Sequence, residues 1–114
     1  MGRKDMWSRE EMLVTLCYYI SLPAGQRRVP PKHILSELSN LTGRSVGSIS
    51  LRFANFNSVD PEFTDKGLKS MQGGGGHVQT TWDEFARNDG TIDSSHLLRT
   101  VTGILYSKTK KFEG

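Results

Sequence analysis

The sequence predicts an all-α domain, and three observations carry that expectation. Two capping-box patterns, Ser8-Arg9-Glu10-Glu11 and Thr81-Trp82-Asp83-Glu84, mark helix starts, since a cap hydroxyl and a carboxylate three residues on satisfy each other's orphan amides. Apolar residues recur at intervals of three and four, the period of a helix with one buried face. No stretch alternates apolar and polar residues as a half-buried strand would, and no internal repeat is present. The expected architecture is a compact helical domain, a helix-turn-helix-like block of three helices followed by C-terminal helices.

The first helix follows the Ser8 cap, with Leu13, Leu16, Cys17 and Ile20 as its stripe and Trp7 placed to fold down on it. Pro23-Ala24-Gly25 ends it. Gln26-Arg27-Arg28-Val29-Pro30 reads as a basic connector, and Pro31 suits the first turn of a second helix whose stripe is Ile34, Leu38 and Leu41. Gly43 fits the position just past that helix. A third helix is capped by Ser45, buries Val46, Ile49, Phe53 and Phe56, and turns Ser48, Arg52 and Asn55 the other way. Gly47 in its first turn costs up to about 1 kcal/mol against alanine, which suggests that something approaches there.

Beyond the turn at Asn57-Ser58-Val59-Asp60-Pro61 the pattern weakens. Phe63, Leu68 and Met71 are expected to fold back on the core from a short helix or an irregular segment. Gly73 to Gly76 cannot hold regular structure. The Thr81 cap opens a short helix with Trp82 and Phe85, and a last helix from about Ser94 carries Leu97, Leu98, Val101, Ile104 and Leu105.

At 114 residues and 12.8 kDa the chain has the length of one domain. The division expected is a single helical domain over 1–106 and a basic, frayed tail over 107–114. Apolar runs are too short to span a membrane, and no apolar segment follows Met1-Gly2-Arg3-Lys4-Asp5 as in a secretory signal. A single cysteine, Cys17, rules out an internal disulfide framework. The expected setting is cytoplasmic, with no membrane partner.

Catalysis has strict residue requirements that this chain does not meet. His33, His77 and His96 stand far apart and share no ligand spacing with Cys17, so neither a zinc site nor an HNH-type nuclease centre is legible. Cys17, within an apolar stripe, is unsuited to act as a reactive thiol. No enzyme activity, no catalytic residue, no metal and no cofactor is expected.

Charge is more informative. Fifteen basic residues against twelve acidic give only +3 overall. From Gln26 to Phe56, however, Arg27, Arg28, Lys32, Arg44 and Arg52 face Glu37 alone, five against one, and from Ser58 onward seven cations face eight acids. A basic middle suits a polyanion. Two helices joined at Thr42-Gly43-Arg44 form a helix-turn-helix-like unit, and a helix start at Ser45 to Gly47 aims amides at anionic oxygens. Two short helices and a turn also occur in many all-α domains that bind no nucleic acid.

Taken together, Trp7-Ser8-Arg9-Glu10-Glu11 and Gly43-Arg44-Ser45-Val46-Gly47-Ser48-Ile49 look Myb-like in outline. With Arg52-Phe53-Ala54-Asn55-Phe56, Val59-Asp60-Pro61, Lys66-Gly67-Leu68 and Trp82-Asp83-Glu84-Phe85 added, the ordered set resembles the DNA sulfur-binding domain of McrA-type, phosphorothioate-dependent restriction endonucleases, over roughly residues 7 to 86. The resemblance implies a non-catalytic module that binds double-stranded DNA whose backbone carries sulfur in place of one phosphate oxygen, with a nuclease as a further partner. It implies a sulfur pocket at Ser45, Val46, Ser48 and Ile49, with Arg27, Arg28 and Pro30 across from it; from their charge, Arg27, Arg28, Arg44 and Arg52 are expected on phosphate. Family members often carry proline where Val46 stands. Sulfur is larger and a poorer acceptor than oxygen, so a small apolar wall favours it, whereas burying a charged oxygen without a donor costs about 1–3 kcal/mol.

The glycine loop is the second expected contact. Gly75 and Gly76 let the backbone approach, and His77 can donate to a base edge in the major groove. The competing expectations are a helix-turn-helix binder of unmodified DNA and a basic protein-interaction adaptor.

Overall fold

A computed structural model describes residues 7–64 and 76–113, with the side chains of 64, 77 and 107–113 outside that description. Among the described residues the elements are α1 (Arg9–Ser21), α2 (Ala24–Arg28), α3 (Lys32–Thr42), α4 (Val46–Asn57), α5 (Pro61–Thr64), α6 (Gly76–Phe85) and α7 (Ser94–Glu113), with no strand. One isolated bridge joins Ala86 to Ile92. The domain is all-α.

α1 begins as its sequence dictates. The Ser8 hydroxyl accepts from the Glu11 amide at 3.1 Å, and the Ser8 amide donates to Glu11 Oε1 at 2.9 Å. The helix then departs from the expected single stripe. Met12, Leu13, Val14, Thr15, Leu16 and Tyr19 are all buried, because α3, α4, α6 and α7 pack around it. Cys17 and Ile20, expected in the stripe, are half-buried on the margin of that core. Each large side chain fully buried here contributes about 1.5–3 kcal/mol.

Tyr19 is the centre of an aromatic cluster, its ring 5.3 Å from Phe53 and Phe56 and 6.1 Å from Trp82. That cluster clamps α1, α4 and α6 together.

The segment expected as a plain connector is helical over α2, with Pro23 rather than a hydroxyl at its start. α3 buries Leu35 and Leu38, while Leu41 is 54% exposed because no described element covers the end of that helix. Gly43 takes φ 78°, a left-handed conformation suited to glycine, and its amide closes α3 on the Ser39 carbonyl at 2.9 Å. Thus α3 and α4 form the expected helical pair. α4 buries Ile49, Phe53 and Phe56 as expected, but Asn55, expected outward, is also inside, and Val46, expected inward, is 43% exposed.

The glycine run was expected to hold no regular structure, yet Gly76 opens α6. Trp82 accordingly lies in the last turns of that helix, not in its first. Val78, Trp82 and Phe85 share one buried face, the i, i+4, i+7 spacing, and this outweighs the internal Thr81–Glu84 cap pattern. The Trp82 indole donates to the Gly90 carbonyl at 2.8 Å, fixing the turn into α7. α7 buries Leu97 and Val101, exposes Leu98 and Leu105, and continues through Glu113 over the tail expected to fray. Phe63 is buried, whereas Leu68 and Met71 lie outside the described residues.

Among the described residues no helix is long and apolar enough to cross a membrane.

Candidate nucleic-acid interface

The outer surface of α4 is left open by the other described elements. Val46, Gly47, Ser50 and Leu51 are exposed along it, with Ala54 half-buried between them. On a helix of 3.6 residues per turn these positions form one continuous strip. A Cβ placed on Gly47 meets only the Ser45 hydroxyl, at 3.9 Å, so the strip is open there.

The first turn of α4 carries a built cap. Ser45 Oγ accepts from the Ser48 amide at 3.1 Å and its hydroxyl donates to Ser48 Oγ at 3.2 Å. The amides of Val46 and Gly47 belong to the group at a helix start that has no intrahelical acceptor. They are the donors available to an anion at this end.

The expected pocket residues do not share one surface. Ser45 and Val46 are exposed and Ser48 and Pro30 are half-buried, whereas Ile49 has no exposed surface and belongs to the core. Two cavities of about 290 and 320 Å³ lie elsewhere, side by side where the end of α1 meets the start of α7. Their lining includes Ile20, Ser94, Arg27 and Asp60, and none of the expected pocket residues.

The four arginines expected on phosphate divide sharply. Arg44 is only 3% exposed, with Nε at 3.1 Å and Nη2 at 2.8 Å from Glu11 Oε1 and its guanidinium 5.2 Å from the centre of the Trp7 ring. Its fork is turned inward, and it ties the α3–α4 turn to α1. Arg52 is half-buried, 4.7 Å from the same ring centre, and donates to Asn55 Oδ1 at 3.2 Å. Burial, and then the neighbouring Arg44 charge, push its pKa down.

Arg27 is also engaged inside the protein. Its Nε donates to the Leu22 carbonyl at 2.9 Å, Nη2 to the Ile20 carbonyl at 3.1 Å, and Nη1 to Asp60 Oδ2 at 3.1 Å. Arg28 is the exposed member, its guanidinium 5.4 Å from the Phe63 ring centre. Asn57 at the end of α4 donates to the Arg27 carbonyl at 3.3 Å, which seats α2 at the opposite end of α4 from Val46. The two ends are separated by about 16 Å at 1.5 Å per residue.

The sequence reading passed over three groups that the structure joins. Tyr19 donates to Asp60 Oδ2 at 2.8 Å and Asn57 donates to the Tyr19 hydroxyl at 2.9 Å, inside the core. Burial first, and then Asp60, drive the Tyr19 pKa far up, so this phenol stays protonated. The signal was the Asn57-to-Pro61 segment, read only as a turn. Lys32 and His33, at the start of α3, are exposed and add to Arg28.

Gly75 lies outside the described residues, as does the His77 side chain, so the expected base contacts have no described geometry; Gly76 is the first residue of α6. Among the described residues no group of three or more His, Cys, Asp or Glu is placed to hold a metal ion. His96 lies against Phe85 with its ring tilted, ring centres 4.8 Å apart. Comparison with protein-family models, curated proteins and solved structures gives no match for this chain.

Proposed function

We propose that the protein is a non-catalytic module that binds the backbone of double-stranded DNA through the α2–α4 face. The observation that carries this reading is the segregation of exposed charge. From Ala24 to Ser58 the exposed ionisable groups are Arg28, Lys32, His33 and one acid, Glu37, which accepts from Tyr18 at 2.5 Å. The other described exposed acids stand elsewhere, among them Glu10, Asp83, Glu84 and Asp89. Outside that segment exposed Arg9, Arg87 and Arg99 nearly balance these acids, so the excess of exposed positive charge that a polyanion meets, together with the open helix-start amides, lies on α2–α4.

The ordered motifs that resemble a DNA sulfur-binding domain support a finer reading, in which the backbone bears phosphorothioate and a nuclease acts with the module. Val46 then supplies the apolar wall, and the first-turn amides of α4 hold the remaining oxygen. Ile49 acts from behind, fixing α4 in the core rather than touching sulfur.

Titrating matched duplexes with and without one phosphorothioate tests both levels. Affinity for each falls log-linearly with salt, with a slope of about −2 to −3 for two or three neutralised phosphates. The modified duplex binds about tenfold more tightly. Equal affinities leave a binder of unmodified DNA, and no binding at low salt removes the DNA reading. One observation favours the adaptor as the second reading: Val29, Leu41, Val46 and Leu51 are exposed apolar side chains on the same helical block.

A further inference from the structure

α2 is a five-residue helix with no buried residue and no side-chain cap. Helices this short do not persist in water without tertiary support. Its described polar support is concentrated on one residue. Arg27 spends three nitrogens on the Leu22 carbonyl, the Ile20 carbonyl and Asp60, lies 5.4 Å from the Tyr19 ring centre, and accepts from Asn57 through its own carbonyl. Asp60 is the acceptor that closes this set. It is 3% exposed, takes both the Tyr19 hydroxyl and Arg27 on Oδ2, and holds the Glu62 amide on Oδ1 at 2.9 Å.

Arg28 is the next residue along, exposed and directed toward Phe63, which itself sits one turn beyond Asp60. The placement of Arg28 therefore follows from how α2 is tied at Arg27 and how α5 is started at Asp60. We infer that Asp60, through Arg27, is a positioning residue for DNA binding: a buried acid that aims the exposed Arg28 at phosphate. This rests on the DNA reading above. Arg27 never touches DNA on this account, although it is the cation adjacent to the one that does.

The inference has a sign that simple charge arguments reverse. Replacing an acid by a neutral group raises net charge by one and, on electrostatics alone, tightens binding to a polyanion. Positioning requires the opposite.

The experiment compares wild type, Asp60→Asn, Arg28→Ala and the double variant with one unmodified duplex over a salt series. Asp60→Asn binds about tenfold more weakly and its salt slope falls by about one, as for Arg28→Ala. The double variant loses little beyond either single change, because both remove the same contact. A second readout needs no DNA. Tryptic cleavage of the Arg28–Val29 bond speeds up about tenfold in Asp60→Asn, since α2 opens more often.

If Asp60→Asn is not helical by circular dichroism, Arg27→Lys takes its place, because lysine keeps the charge and loses the fork. Unchanged or tighter DNA binding by the variant overturns the positioning role, even with faster cleavage. Unchanged cleavage overturns the anchor. If wild type binds no duplex at low salt, the DNA reading fails on its own, and the proteolysis result alone decides whether Asp60 anchors α2.

Discussion

Arg44 Nη2 sits 2.8 Å from Glu11 Oε1, and this pair, a buried guanidinium on a half-buried carboxylate, joins the turn that opens α4 to the first turn of α1. The same oxygen accepts the Ser8 amide at 2.9 Å, so one carboxylate closes a helix cap and neutralises a buried guanidinium. The orientation of α4, and with it the proposed DNA face, depends on that oxygen.

Arg44→Met is therefore expected to affect folding more than binding. The change leaves Glu11, half-buried and still holding the Ser8 amide, without its cation, at a loss of about 1–3 kcal/mol. Urea unfolding measures this. The folded fraction should bind DNA with an unchanged salt slope, and a slope lowered by one would instead put Arg44 on phosphate.

Gly47→Ala separates stability from binding in opposite directions. The new methyl meets only Ser45 Oγ, at 3.9 Å, and alanine is favoured in a helix by about 0.5 kcal/mol at such a position. The melting temperature should rise slightly while affinity for duplex falls several-fold, because the methyl stands where the backbone approaches.

Val46→Pro is compatible with the local backbone. Ser45 has φ −68° and ψ 156°, the conformation favoured before proline, and position 46 opens α4. The variant should fold as well as wild type and keep or raise the ratio of modified to unmodified affinity. Val46→Asp should abolish that ratio by hydrating the wall and repelling the backbone.

The surface pair of Arg9 and Glu84 gives a pH dependence of known sign. The hydrogen bond from Arg9, foremost, holds the Glu84 carboxyl below its usual range. A lowered folded pKa stabilises above the ordinary value near about 4.3 and is lost as pH falls through the folded one. Both side chains are more than a third exposed, 56% and 39%, so the pair is worth only about 0.2–1 kcal/mol. Glu84→Gln should lower urea stability by that amount at pH 7 and not at about pH 2.

What the sequence disclosed was what neighbours along the chain decide. The Ser8–Glu11 cap, the Gly43 turn and the start of α7 at Ser94 depend on residues within four positions, and each stands where expected. The arginines show the opposite case. A cation in the sequence displays its charge but not its partner, and Glu11 and Asp60 each lie 33 residues from the arginine they neutralise. Two of four expected phosphate contacts thus became internal struts.

The same limit governs the helical stripes. Leu41 has the spacing of a core residue but no neighbour among the described residues to cover it, while Tyr19 and Asn55 are buried by helices that arrive from elsewhere. Of the exposed strip from Val46 to Leu51 the sequence marked only Gly47 as a place of approach; Val46 was expected inward, and Ser50 and Leu51 become an outer face only once Ile49 and Phe53 are seated.

Amide chemical-shift mapping with a short duplex at low salt tests the central claim most directly. The account predicts that the shifts move along one face, at Arg28, Lys32, Val46, Gly47, Ser50 and Leu51, while Asp83, Glu84 and Asp89 stay in place. Shifts confined to the second group, or no shift at all at duplex concentrations well above micromolar, would contradict it.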